Sequence, residues 1–267
     1  MNQDCIPSLL LVGFGKMGGA MLAGWREAGL APSIAIDPTG PVSPGAELTV
    51  FTDAAAIPVD FAPAAVILAV KPQSAAETLP LYRRFAGSAV FLSIMAGRTL
   101  AGMEALLGDA SIVRAMPNTP AAVRQGVTVG CANGRVTADQ RALCDRLLRA
   151  IGAVAWVEDE GLIDPVTAVS GSGPAYVFLL AELMEQAALA QGIPADLARL
   201  LARQTVTGAG ALLAASPEAS AVLRQNVTSP KGTTEAALQV LMAADAWPKA
   251  VDAAIAAATI RSRELAG

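Results

Sequence analysis

A short apolar run, Leu9-Leu10-Leu11-Val12, ends in Gly13-Phe14-Gly15-Lys16-Met17-Gly18, and apolar residues at helical spacing follow at once. Few patterns constrain a fold more. A strand, a Gly-x-Gly-x-x-Gly turn and a helix open a βαβ unit whose turn sets backbone N–H groups and a helix N-terminus against a pyrophosphate. The glycines differ in what they permit. Gly13 allows the tight turn, Gly15 lets a ligand approach the backbone, and Gly18 lets helix and strand pack closely. The motif alone is weak evidence, and a glycine turn without a ligand is the alternative. The required context is present here, because a second strand follows and ends in an acid, Asp37.

The rest of the first half repeats the alternation. Strands are expected over residues 8–12, 33–37, 48–51, 65–70, 89–94, 111–116, 127–131 and 153–157. Helices are expected after the first glycine turn, over 74–85, after the turn Met95-Ala96-Gly97, and over 138–151. A Pro/Gly-rich connection joins Pro38 to Gly45. Such alternation implies a parallel sheet with helices on both faces, whose ligands bind beyond the carboxyl ends of the strands. The turns on that edge are residues 13–18, Asp37, Lys71-Pro72, residues 95–97 and Asn118-Thr119.

Past residue 158 no strand-like run is evident. Helical spacing extends from about 164 to 264, with breaks at Gly171-Ser172-Gly173-Pro174, Gly192-Ile193-Pro194, Ser216-Pro217, Ser229-Pro230-Lys231-Gly232 and Trp247-Pro248. Pro174 and Pro194 both suit the first turn of a helix. The expected architecture is α/β: a Rossmann-type domain over 1–158, then an all-helical domain over 159–267. The second is rich in Ala and Leu and suited to burying an apolar face against a second subunit.

Composition excludes more than it selects. In 267 residues there is no histidine, so no Ser–His–Asp triad, Cys–His pair or His-ligated metal can form. Cys5, Cys131 and Cys144 are far apart and suggest neither a disulfide framework nor a zinc site. A net charge of −4 gives no reason to expect nucleic acid or an anionic membrane as partner. The apolar helix over 175–190 carries Glu182, Glu185 and Gln186, which a membrane span tolerates poorly. The start, Met1 to Cys5, does not read as a signal peptide. A soluble, cytoplasmic protein is expected.

Asp37 can accept from a ribose hydroxyl and repel a 2′-phosphate, or be a solvated turn acid beside Pro38. Lys71 either reaches a phosphate or extends into water. Asn118 and Thr119, between two prolines, offer polar groups at the ligand edge. In the helical half, Thr228-Ser229-Pro230-Lys231-Gly232-Thr233-Thr234 leads into a helix starting near Thr234. Hydroxyls and free N–H groups there suit a carboxylate. Read from physics alone, an ordinary Ser/Thr cap is the simpler account.

These residues together resemble pyrroline-5-carboxylate reductase over nearly the whole chain. The resemblance is carried by Val12-Gly13-Phe14-Gly15-Lys16-Met17-Gly18, Ala69-Val70-Lys71-Pro72-Gln73, Arg114-Ala115-Met116-Pro117-Asn118-Thr119-Pro120, Val169-Ser170-Gly171-Ser172-Gly173-Pro174-Ala175-Tyr176, residues 227–234 and Arg261-Ser262-Arg263-Glu264-Leu265. It implies hydride transfer from NADPH or NADH to 1-pyrroline-5-carboxylate, giving L-proline. It also implies a helical domain interleaved with its copy in a dimer, with rings up to decamers built from dimers. By the same resemblance Thr234 would hydrogen-bond the imine nitrogen, and Ser229, Gly232 and Thr233 would hold the carboxylate. Asn226 would reach the nicotinamide side. Residues 13–18 would take the pyrophosphate, with Ala69, Val70, Lys71, Pro72, Met95, Ala96 and Gly97 lining the dinucleotide.

Two positions depart from the family pattern. Lys231 stands where glycine is common, which is costly if that position needs a positive φ. Glu218 lies in a stretch that differs from the family's acidic segment and is a weak candidate for its substrate contact. Two other readings fit the residues: a reductase of another cyclic imine on the same scaffold, and a dinucleotide-binding protein without catalysis.

Overall fold

The structure, a computed structural model, describes residues 5–39 and 45–266. The first four residues and the middle of the Pro38-to-Gly45 connection lie outside the described residues. The chain divides into two compact units: residues up to Gly171 together with those from Thr259 onward, and Ser172–Ala258. The sequence pattern alone places the division at 158/159.

The first unit holds β1 (Leu9–Val12), α1 (Lys16–Glu27), β2 (Ser33–Ile36), β3 (Leu48–Phe51), β4 (Ala65–Leu68), α2 (Ala75–Thr78), β5 (Val90–Ser93), α3 (Leu100–Leu107), β6 (Ser111–Met116), β7 (Gly126–Ala132), α4 (Ala138–Arg149), β8 (Gly152–Trp156) and the short α5 (Ile163–Val166). The eight strands form one sheet in the order β3-β2-β1-β4-β5-β6-β7-β8. The chain reverses its direction of travel across the sheet at β1, so the crevice between β1 and β4 is the switch point where such sheets bind ligands. Strands β1 and β4 are buried on both faces, as their unbroken apolar sequences require.

Alternate residues feed two cores. Leu10, Val12, Val66 and Leu68 pack with Leu79, Tyr82, Met103 and Leu107 on one face. Leu9, Leu11, Ala65 and Ile67 pack with Met21, Trp25, Leu147 and Leu148 on the other. The buried Trp25 indole donates to the Leu147 carbonyl at 2.9 Å, joining α1 to α4.

Three expectations need correction. The sheet is not wholly parallel: β7 runs antiparallel to β6, while β8 is parallel to β7. Residues 117–125 are too few for a parallel crossover, which needs about a dozen, so the chain doubles back. The helix expected over 74–85 is broken, with 3-10 turns at Pro72–Ser74 and Leu79–Phe85 flanking α2. Pro80 removes a donor from the α ladder, and the chain tightens. Pro194 stands at a helix N-cap, one residue before the expected first turn.

A buried polar network sits at the end of the first unit. The Arg114 guanidinium on β6 donates to Glu160 at 2.7 Å and lies 4.0 Å from Asp164. Glu160 also accepts from the Leu100 N–H, and the Ser262 hydroxyl donates to Asp164 at 2.7 Å. Beside it, Thr167–Gly171 forms a π turn.

The second unit contains α6 (Gly173–Ala190), α7 (Ala195–Ala215), α8 (Ser220–Asn226), α9 (Thr233–Leu241) and most of α10 (Trp247–Ala266). Its apolar side chains are largely uncovered in the single chain: Phe178 is 67% exposed, Leu200 59% and Val240 70%. The stretch 160–190 is long and apolar enough to cross a membrane by length and composition, with mean hydropathy 1.3. Glu182 and Glu185 on α6 argue instead for a protein partner on this surface.

Candidate active site

The carboxyl edge of β1, β2, β3 and β4 surrounds a cleft of about 700 Å³. Among the residues expected at a cofactor, Gly13, Phe14, Gly15, Asp37, Ala69, Val70 and Lys71 line it. The three glycines differ in their surroundings. Gly13 has φ +92, and a Cβ there would lie 2.7 Å from the Ala69 carbonyl oxygen. A Cβ on Gly18 would come 2.9 Å from the Gly13 oxygen, so helix and strand are in close contact. Around Gly15 there is open space, where a ligand can meet the backbone. Gly15 is also the N-cap of α1 and supplies no side chain to occupy the helix N–H groups.

Asp37 closes the other side of the turn. Its carboxylate accepts from the Phe14 N–H at 2.8 Å, from the Thr39 N–H at 2.9 Å and from the Thr39 hydroxyl at 2.6 Å. Partial burial pulls its pKa upward. The hydrogen bonds from Thr39 and Phe14 outweigh that and hold it below the ordinary carboxylate value. The acid is therefore a fixed negative charge that also braces the glycine turn.

The cleft contains residues that motif reading missed, chiefly Thr39, Thr52, Asp53, Ser74 and Tyr82. The available signal was register. Ile36 pairs with Phe51, so whatever follows β3 sits beside whatever follows β2. Burial pushes the Tyr82 phenol up to about 12, and the Asp53 charge adds to the shift.

Other expected cofactor residues lie differently. Lys16, Met17 and Gly18 belong to α1 behind the turn and do not line the cleft. The Pro72 carbonyl accepts from Arg98 Nε at 2.9 Å and Nη2 at 2.6 Å, which fixes the chain after β4 from behind. Met95 is buried in the core, Ala96 is exposed, and Gly97, at φ +66, abuts the Leu265 backbone. Asn118 is nearly buried and uses both ends of its amide internally. It donates to the Ser170 carbonyl at 3.1 Å and accepts from the Val127 N–H at 3.0 Å.

In the second unit the structure decides between a cap and an open helix end. Gly232 is the N-cap of α9, and no side chain accepts from the helix N–H groups. Gly232, rather than Ser229, Thr233 or Thr234, thus holds the cap position. The Thr228 hydroxyl donates to the Arg224 carbonyl at 2.7 Å. Asn226 donates to Glu218 at 3.3 Å, so those two expected site residues contact each other. Lys231 adopts φ 61, the left-handed region that glycine occupies without strain. Its N–H donates to Glu235 at 2.7 Å, from a side chain reaching back out of the first turn of α9.

With this geometry in view, comparison with known proteins is specific. Residues 160–265 match the family model described as pyrroline-5-carboxylate reductase dimerisation. A pyrroline-5-carboxylate reductase of Pseudomonas aeruginosa is 39% identical, covering 97% of this chain and 97% of its own. One from Synechocystis is 41% identical over 75% of this chain and 74% of its own. Among solved structures, the Coxiella burnetii pyrroline-5-carboxylate reductase has a TM-score of 0.88 at 32% identity, covering 98% of this chain and 99% of its own. The Plasmodium falciparum enzyme, solved with NADP bound, has a TM-score of 0.80 at 26% identity and covers 98% of each chain.

Two substitutions test the turn and a third the helix end. Gly15→Ala should leave the urea midpoint nearly unchanged yet weaken NADH binding by about tenfold or more. Gly13→Ala should lower stability itself, by about 1–3 kcal/mol. If both lose stability equally, Gly15 is structural and its open space is not a ligand approach. Lys231→Gly should stabilise the protein by about 1 kcal/mol at fixed protein concentration, by relieving the left-handed backbone. No gain would show that the lysine side chain offsets its strain.

Proposed function

The chain belongs to the pyrroline-5-carboxylate reductase family, and from that premise we propose which residues carry the reaction. The protein is an NAD(P)H-dependent oxidoreductase that reduces the C=N bond of 1-pyrroline-5-carboxylate to give proline. Hydride leaves the nicotinamide C4 with its electron pair and forms a C–H bond at the imine carbon. The C=N π pair moves to nitrogen, which holds or takes a proton. Neither a covalent nucleophile nor a histidine is needed, and the chain has no histidine. The work left to the protein is to orient two reactants and stabilise charge.

Residues 1–158 would hold the dinucleotide, and residues 159–267 would supply substrate binding and dimerisation. In the cleft, the Gly15 N–H would face the pyrophosphate from a turn that Gly13 and Phe14 shape through their own N–H bonds to Ile36 and Asp37, with Ala69, Val70 and Lys71 beside it. Lys16, Met17 and Gly18 would act from the helix behind the turn. The observation that carries the substrate assignment is the uncapped start of α9. Its first-turn N–H groups and the hydroxyls of Ser229 and Thr233 suit a carboxylate, and Gly232 would contribute by bringing the chain close, since its own N–H donates to the Ser229 carbonyl at 3.0 Å. Thr234, in the same turn, would hydrogen-bond the imine nitrogen as the charge there changes. Asn226 would face the nicotinamide, steadied by Glu218. Glu218 would touch the substrate nitrogen only by giving up that contact.

The helical half makes the protein a homo-oligomer, as its dimerisation family indicates. Dimers interleaved through these helices, and rings such as decamers built from them, would cover the exposed Phe178 and Leu200. A cytoplasmic location fits the acidic, disulfide-free chain.

Thr234→Ala should reduce kcat with 1-pyrroline-5-carboxylate by about ten- to a hundredfold, the loss of one hydrogen bond to a charged group. The Kd for NADH should stay within about twofold, because the threonine belongs to the substrate loop. Unchanged turnover would show that Thr234 does no more than begin a helix. Proline formation absent with both NADH and NADPH in the unaltered protein would overturn the assignment itself.

A further inference from the structure

The adenosine side of the cleft carries an unusual charge pattern. Asp37 follows β2 and Asp53 follows β3, and both line the cleft. The strand ends lie side by side, with the Asp37 N–H donating to the Phe51 carbonyl at 3.0 Å. The cation among the cleft residues is Lys71, which follows β4 on the opposite flank of β1. No Lys or Arg occurs between Arg26 and Lys71 in the sequence. Arg26, near the far end of α1, is held by Glu47 at the start of β3. Thr39 is committed as well, since its hydroxyl and N–H both donate to Asp37.

In dinucleotide folds of this topology the end of β2 meets the ribose 2′ position. A 2′-hydroxyl there finds carboxylate acceptors. A 2′-phosphate brings a negative group against two carboxylates, and among the described cleft residues the cation, Lys71, lies on the opposite flank of β1. Even one such charge pair, a few ångströms apart near a protein surface, repels by more than a tenfold difference in affinity requires.

We propose that this reductase selects NADH over NADPH, with Asp37 and Asp53 as the residues that exclude the 2′-phosphate. The inference rests on the cleft being the dinucleotide site and names the cofactor that reading leaves open. Asp37 is the stronger determinant, because it is immobilised by three hydrogen bonds. Asp53 has one oxygen bound to the Ala55 N–H at 2.9 Å as a local cap. Asp53→Asn keeps that acceptor and removes only the charge.

The test measures Kd for NADH and NADPH by calorimetry on the full-length protein without imine, so that cofactor ranking does not depend on turnover. NADH is expected to bind about tenfold or more tightly than NADPH. Asp37→Ser should shrink that ratio by about tenfold, and Asp53→Asn should shrink it by a smaller factor. Raising ionic strength to about 1 M should narrow the gap in the unaltered protein, because the discrimination is coulombic. Equal binding, tighter NADPH, or a ratio that neither substitution nor salt moves overturns the selection while leaving the reductase assignment intact. Failure to bind either dinucleotide overturns the reading of the cleft and this inference with it.

Discussion

The hydrogen bond from the Phe14 N–H to the Asp37 carboxylate, 2.8 Å long, anchors the corner beside which the cleft opens. It joins the centre of the glycine turn after β1 to the end of β2. A second tie, from the Gly13 N–H to the Ile36 carbonyl at 2.8 Å, fixes the same corner. Because Gly13 turns at positive φ against Ala69, the turn also touches the exit of β4. Three strand ends therefore meet at this corner, and all three line the cleft. An acid at this corner does two things together. It completes the hydrogen bonding of a turn that has few side chains of its own, and it sets a negative charge beside the cleft.

The two halves are stabilised by different physics. The sheet unit buries its apolar residues within itself, on both faces, and leaves its chemistry to loops on one edge. The helical unit does not. Among its described residues Ala198 and Ala202 are buried, while many leucines and valines are exposed. An apolar surface of that extent needs a partner, and the dimerisation family to which residues 160–265 match accounts for it. With the proposed substrate loop on these helices, activity would depend on assembly as well as on folding.

What could be read in advance follows from how local each signal is. The strands Leu48–Phe51 and Ser111–Met116 are legible to the residue, since each is a short run enclosed by chain breakers. The glycine turn and Asp37 were legible because their spacing encodes a backbone geometry. The reversal of β7 was not, because strand direction depends on the length of a connection rather than on the strand's own residues. Asn118 looked like a ligand group because a polar side chain between two prolines gives no sign of its partners. Its bonds to Val127 and Ser170 are tertiary. The same holds for Arg114, Glu160, Asp164 and Ser262, which lie far apart in sequence and form one network. Asp53 was missed because the segment after β3 bears no motif, although pairing with β2 puts it in the cleft. Lys231 was legible as a question, and its positive φ answers it.

Chemistry without histidine is the constraint that unites these features. The protein supplies position and electrostatics, and the cofactor supplies the electrons. The most direct measurement of that division is isotopic. Purified protein is given 1-pyrroline-5-carboxylate and nicotinamide cofactor deuterated on one face of C4 at a time, and the proline formed is analysed by mass spectrometry and NMR. The account predicts one deuterium at C5 of proline from one of the two C4 epimers, and protium from the other. Proline carrying label from both epimers, or solvent deuterium at C5 in heavy water with unlabelled cofactor, would contradict direct hydride transfer in a site that orients both reactants.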